Sequence, residues 1–366
     1  MKNRYVYLDG IRGLAAIAVL TRHTSHYWNL SFFRSYLAVD VFFILSGFVI
    51  ASAYDRKVET GTLSGLGFMK IRYARLYPAF ILSLALSSAA VFGKTLYLGH
   101  GASGGVWLQL LASIVLAAVF LPSWVSGNES LFPMNGAYWS LFDELLINAI
   151  YARIRPRLGQ RPLLMIALAA GALLGAAIYR EGLLGGGSTW SLMSLAFGLT
   201  RSCFGIFAGL CLYRHRERLQ AMLPRALPAW TSLIVVSAIL LSPSAGRFDG
   251  LLDAAAIFIA FPVLLLVAAR GAETRRTRFL AVLGEASYPL YVFHIPVGQM
   301  LFFVFGNRVP AHAPYSGLAL LALLLAVSIG FARRCESQMK AAILRWLRST
   351  PTPPLLTDEA GASGPR

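Results

Sequence analysis

Residues 36–54 read YLAVDVFFILSGFVIASAY, a run of 19 positions in which Asp40 is the single charge. A helix needs about 20 mostly apolar residues to cross the hydrocarbon core of a bilayer, so this stretch is read as a membrane span. Working outward, ten further runs bounded by charge, Gly or Pro share its character. They are Leu14 to Trp28, Leu76 to Phe92, Val106 to Trp124, Tyr138 to Ile154, Leu163 to Tyr179, Leu192 to Tyr213, Ala229 to Leu241, Leu251 to Ala269, Ala286 to Phe305 and Tyr315 to Ala332. The pattern predicts an all-α, polytopic integral membrane helical bundle of about 10 to 11 transmembrane helices. Composition points the same way: of 366 residues, 57% are hydrophobic and 13% charged, and the mean hydropathy is +0.63. So little polar surface could not cover a soluble globule, which excludes a soluble enzyme and a disordered tail protein.

The net charge of +17 comes from 33 Lys and Arg against 16 Asp and Glu. In a soluble chain it would suggest nucleic acid; among spans it reads as basic loops facing anionic lipid, with no nucleic-acid partner. The basic residues cluster at Lys2 and Arg4, at Arg56 to Arg75, at Arg153 to Arg161, at Arg214 to Arg225, at Arg270 to Arg278 and from Arg333 to Arg348. Placing all six clusters on the cytoplasmic side puts both termini there. Three runs then fall between Arg75 and Arg153, one too many for the pattern. One of the first two, beginning at Leu76 or Val106, is expected to dip into the bilayer or lie along it, leaving ten crossings. The first run contains Arg22, His23 and His26 and has no small-residue cleavage site, so it is expected to stay in the mature protein. Cys203, Cys211 and Cys335 show no CxxC spacing and predict neither a disulfide framework nor a zinc site. The membrane domain is expected to occupy residues 1–348, with a disordered Pro- and Gly-rich tail over 349–366 and no further soluble domain.

The polar residues inside the runs carry the functional information, because an ionisable group at mid-bilayer costs roughly 2.5–3.5 kcal/mol on insertion scales. They are Arg12, Arg22, His23, His26, Asp40, Asp143, Glu144, Asp253 and His294. Arg12 and His23 lie 11 residues apart, close to three helical turns, so they share a face about 16 Å apart along the axis. That face could hold an anion near the cytoplasmic edge and present an imidazole at mid-depth; a snorkelling Arg and a His bonded to a neighbouring helix would give the same spacing. His26, three residues past His23, could pair with it on a metal, but no third ligand stands at a suitable spacing, and no metal is expected. Ser46 and Gly47 suit close helix packing, while Asp40 could sit at the outer interface. Arg72 and Arg75, three apart at the mouth of the third span, are spaced for one anion or for membrane anchoring. In YWSLFDELLINAIY, Trp139 and Ser140 precede two adjacent carboxylates just inside the outer face, of which one is expected to face the bundle interior. His294 lies between Pro289 and Pro296 with Tyr288 and Tyr291 beside it, where Pro can free carbonyls to line a cavity. It lies about nine residues in from the cytoplasmic side, comparable in depth with His23.

Five segments in this order resemble membrane-bound acyltransferase family 3, which includes O-acetylases of surface polysaccharides: YLDGIRGLAAIAVLTRH, AVDVFFILSGFVI, RYARLYP, WSLFDE and LGEASYPLYVFHIP. The resemblance runs from about Tyr7 to Glu336. It implies transfer of an acyl group, commonly acetyl from acetyl-CoA, to a hydroxyl of a carbohydrate or glycolipid acceptor, with no bound cofactor. It also implies that Arg12 and His23 form the essential pair, His23 acting as general base or transient acyl carrier. Arg72 and Arg75 become the second arginine motif and join Arg12 in binding the phosphates of the donor, while Glu144 orients His23 or a substrate hydroxyl. Asp40, Ser46, Trp139, Ser140, Tyr291 and His294 are further pocket candidates. The expected location is the bacterial inner membrane, with lipids as neighbours. Ala38 in place of Gly, Leu145 after Glu144, Ile147 and Asn148 in place of an aromatic pair, and ESQM at Glu336 depart from the family pattern. A secondary transporter or lipid-linked flippase would also be multi-span with midplane charges, but no repeated halves are visible.

Overall fold

The computed structural model describes residues 4–30, 32–97, 99, 104–124 and 130–349, so nearly all of the expected tail lies outside the described residues. The helices, in chain order, are α1 (Val6–His23), α2 (Ala38–Ile50), α3 (Gly65–Tyr97), α4 (Gly104–Ala118), α5 (Tyr138–Ile154), α6 (Gln160–Glu181), α7 (Leu192–Arg214), α8 (Trp230–Leu240), α9 (Asp249–Ala255), α10 (Phe261–Ala268), α11 (Arg278–Phe305), α12 (Tyr315–Phe331) and α13 (Ser337–Ser349). Turns of π-helix join α9 to α10 and α12 to α13 and extend α2 as far as Asp55. No strand occurs among the described residues, only an isolated bridge between Ser130 and Thr189. Among the described residues, seven helical segments are long and apolar enough to cross a membrane. The chain is a polytopic helical membrane protein.

Each expected run carries helix, but the ends differ. α1 starts at Val6 and stops at His23, inside the run expected to continue to Trp28. It stops because Thr24 bonds its own hydroxyl to the Leu20 carbonyl at 2.7 Å and accepts the Trp28 indole N–H at 3.1 Å, competing with the helical ladder. His23 therefore stands at a helix end rather than within a span. α3 begins at Gly65, so Arg72 and Arg75 lie in its second and third turns, inside the helix but N-terminal to the apolar run that starts at Leu76. Its 33 residues rise about 50 Å, more than a crossing needs, whereas the 15 residues of α4 rise only about 22 Å. Of the two runs offered for the dip, α4 is the short one. α8, with 11 residues, is also shorter than a crossing.

Helix association in lipid depends on close backbone contact and polar bonds, because lipid tails are as apolar as Leu. α2 and α7 cross where Gly47 meets Ile206 and Gly209: a Cβ at Gly47 would stand 2.0 Å from the Ile206 carbonyl oxygen, and one at Gly209 would stand 2.1 Å from that of Ile44. α1 packs along α11 and also touches α2 and α8, while α11 packs on α3 and α12. Buried ion pairs lock both ends of the bundle. Asp55 accepts from Tyr151 Oη at 2.6 Å and Arg155 Nε at 2.7 Å and pairs with Arg214. At the opposite end Arg34 pairs with Asp249, and Asp253 accepts from Tyr36 Oη at 2.6 Å and the Leu184 amide at 3.0 Å. Asp253 is thus a clamp between helices.

Candidate active site

α1 and α11 run parallel, and their polar contacts climb together. Arg12 sends Nε to Ser287 Oγ at 2.9 Å and Nη2 to the Gly284 carbonyl at 2.7 Å and to Asp9 Oδ1 at 2.9 Å. Asp9 also accepts from Arg4 Nε at 2.7 Å. Gly284 permits this approach, since a Cβ there would stand 2.5 Å from that of Asp9. About 16 Å further along α1, His23 meets His294, and beyond it Tyr27 Oη donates to the Gly298 carbonyl at 2.7 Å. The matched depth read for the two histidines is direct contact: His294 Nε2 lies 3.1 Å from His23 Nδ1, with ring centroids 5.0 Å apart. His23 Nδ1 is also 3.0 Å from the Val19 carbonyl, and His294 Nδ1 is 2.6 Å from that of Tyr291. His294 is completely buried, whereas His23 is exposed. His23 Nε2 has no hydrogen-bond partner among the described residues, so one ring nitrogen is left open.

The turn carrying His294 is fixed from several sides. Pro296 has no N–H for the Val292 carbonyl, and Ser83 Oγ (2.6 Å) and Asn135 Nδ2 (3.1 Å) donate to it instead. Tyr291 Oη pairs with Ser140 Oγ at 2.6 Å and donates to the Ala137 carbonyl at 3.1 Å. Ser140 and Tyr291 thus support the histidine pair from α5 and α11.

Glu144 does not reach His23, one of the two partners expected for it, the other being a substrate hydroxyl. It forms an ion pair with Arg72 and accepts from Ser46 Oγ at 2.5 Å, and Arg72 Nη2 also reaches Ser46 Oγ at 3.1 Å. Arg72 is buried, so it and Arg75 do not form a free pair of forks for one anion. Arg75 remains partly exposed and lies within electrostatic reach of Arg12, Arg72 and Glu336. Both acidic neighbours on α5 face inward, not one, because α5 is flanked on two sides: Glu144 turns to α2 and α3, and Asp143 turns to Gly198 on α7. Asp40 is packed between helices in the first turn of α2. It is buried and receives Arg201 Nε at 3.0 Å and Nη2 at 2.7 Å, while the same guanidinium lies 5.4 Å over the Trp139 ring. His26 packs on Tyr27 and Phe302, away from His23, and no group of three or more His, Cys, Asp or Glu gathers for a metal among the described residues.

Three of these residues escape the reading of the sequence. Arg201 sits well inside the run from Leu192 to Tyr213, where the mid-span rule applied to Asp40 would have found it. Asp9 lies before the expected start of the first run. Asn135 is a polar loop residue whose role depends on a carbonyl freed 157 positions away, and it has no local signal.

A family model described as an acyltransferase domain matches residues 5–333. Protein 2 in picA locus from Rhizobium radiobacter is 40% identical over 183 residues, 48% of this chain and 95% of that protein. O-acetyltransferase OatA from Staphylococcus aureus is 27% identical over 169 residues, 41% of this chain and 26% of OatA. Acyltransferase MdmB from Streptomyces mycarofaciens is 28% identical over 159 residues, 39% of this chain and 38% of MdmB. The match thus spans well under half the length of the last two relatives. No solved structure matches. Since the match takes in all of α1 to α12, including Arg12, His23, Arg72, Glu144 and His294, the chain belongs to this acyltransferase family (Acyl_transf_3).

Proposed function

We propose that the protein is a membrane O-acyltransferase that moves an acyl group, acetyl foremost, from acyl-CoA to a hydroxyl of a carbohydrate or glycolipid acceptor, in the inner membrane of a bacterium. The observation that carries the reading is His23, exposed at the end of α1 with Nε2 unbonded, on the same helix as a half-buried arginine about 16 Å away. Arg12 and Arg75 give the end of the bundle where α1 begins a positive mouth suited to the donor's phosphates, and the basic-loop rule puts that end in the cytoplasm. A thioester reaching from there towards His23 would meet the acceptor hydroxyl at the far end. His23 Nε2 then takes the hydroxyl proton as the oxygen attacks the thioester carbonyl. Acyl transfer through a transient acyl-His23 uses the same nitrogen. The acetyl group follows from the name of the O-acetyltransferase relative; the carbohydrate acceptor follows from the family resemblance.

The test is CoA release by the purified protein in liposomes with acyl-CoA donors and glycan acceptors. The expected result is acceptor-dependent release that disappears in His23→Ala while the protein still inserts. Movement of a solute across the liposome without CoA release would overturn the reading in favour of transport.

A further inference from the structure

The hydrogen bonds around the two histidines determine where their protons sit. A backbone carbonyl only accepts, so His294 Nδ1, 2.6 Å from the Tyr291 oxygen, carries its proton. In a neutral imidazole the lone pair is then on Nε2. That atom faces His23 Nδ1 at 3.1 Å, and because two lone pairs repel, His23 Nδ1 must carry a proton. The Val19 carbonyl, 3.0 Å from the same Nδ1, requires the same assignment. His23 is left with a bare Nε2, the nitrogen with no partner among the described residues.

We propose that His294 is a positioning residue for acyl transfer: a neutral acceptor that holds His23 in the Nδ1–H tautomer and receives a stronger bond from it when Nε2 becomes protonated. The inference rests on the acyl-transfer reading and deepens it. In the step itself the acceptor O–H bond breaks and its proton forms a bond to His23 Nε2. The freed oxygen bonds to the thioester carbon, the C–S bond breaks, and the departing thiolate takes the proton from Nε2. His294 exchanges no atom. As charge appears on His23, its Nδ1–H becomes a charge-assisted donor to the lone pair of His294. A carboxylate in that place would orient the ring in the same way but bury a charge beside it, whereas a neutral imidazole gives orientation without that charge. The preorganisation continues outward, because the turn bearing His294 is bonded through Val292 to Ser83 and Asn135.

Gln is the informative substitution, since its side-chain oxygen can reach the place of Nε2 and accept from His23 without titrating. In liposomes with acetyl-CoA, His294→Leu is expected to lower kcat by about 100-fold, within the range of a lost general base, with donor KM changed less than twofold. His294→Gln is expected to recover most of that loss. Leu at wild-type kcat, or Gln as inactive as Leu while both variants unfold at the wild-type temperature, overturns the proposal. Nitrogen-15 spectra of labelled imidazoles supply a readout independent of turnover: His23 is expected to be protonated at Nδ1, and a proton on Nε2 in the resting enzyme overturns the proposal. If His23→Ala retained activity, the acyl-transfer role of His23 would fall instead, whatever the His294 variants do.

Discussion

The ion pair between Asp40 and Arg201 offers the clearest test of what holds the bundle together. Both side chains are 3% exposed, and two hydrogen bonds join them. Breaking a buried pair by removing one partner costs about 3–5 kcal/mol, because the other charge stays buried. Asp40→Val falls at the lower end of that range. Arg201 keeps a carbonyl acceptor on Tyr36 at 3.2 Å and two longer ones on Gly186 and Gly185 at 3.4 and 3.5 Å. With roughly 2.1 cal/mol/K of unfolding entropy per residue over 366 residues, a loss of about 3 kcal/mol corresponds to a Tm lower by about 4 °C. Arg201→Met leaves Asp40 with no other donor among the described residues and falls at the upper end of that range. The double variant Asp40→Val/Arg201→Met buries no charge and is expected to regain most of the lost stability. A thiol-reactive dye in detergent suits the assay: Cys203 and Cys211, half-buried on the same helix as Arg201, become reactive as that helix unpacks, while the exposed Cys335 sets the baseline. Single variants that melt with the wild type, or a double variant whose loss equals the sum of the two, would refute the argument that this pair bears load between α2 and α7.

Other predictions concern the remaining contacts. Gly209→Leu should yield no folded protein by size-exclusion chromatography, since even its Cβ would lie 2.1 Å from the Ile44 carbonyl oxygen. Glu144→Gln strands the charge of buried Arg72 and should lower the melting temperature by several degrees, with Arg72→Met restoring much of it if the pair is structural. Arg75→Ala, which removes a partly exposed cation, should raise donor KM and flatten its salt dependence while leaving acceptor KM unchanged. Ser83→Ala leaves the Val292 carbonyl to Asn135 alone and takes the 2.8 Å partner from the buried Tyr138 hydroxyl, and should cost about 1–3 kcal/mol in thermal unfolding.

The helical bundle is legible in the sequence because lipid forces it: a run such as 36–54 has few other ways to satisfy its backbone. Helix ends are less legible, since the stop after His23 depends on one threonine hydroxyl and an indole four residues on. Within the site, Arg12 and His23 emerge from simple periodicity on one helix. Their partners do not, because Gly284, Ser287 and His294 lie more than 270 positions away, and their register against α1 is set by how closely Gly284 approaches Asp9. The acidic pair on α5 misleads for a related reason. Helical geometry gives the angle between Asp143 and Glu144 but not how many helices surround α5. Arg201 was accessible to the mid-span rule, and its pairing with Asp40 shows that the two residues have to be read together.

The parallel contact of α1 with α11 also has a consequence in time. Arg12 and His23 are synthesised early, and their partners emerge 271 to 275 residues later. At about 5–20 residues per second, that interval is roughly 14 to 55 s. Throughout it, the first helix holds Arg12 and His23 without the neighbour that satisfies them, so it is poorly suited to release into lipid alone. The insertion machinery would have to retain α1, or let it wait at the interface, until the other end of the chain arrives. A nascent chain stopped before residue 284 would therefore carry an exposed polar helix that quality-control proteases can recognise.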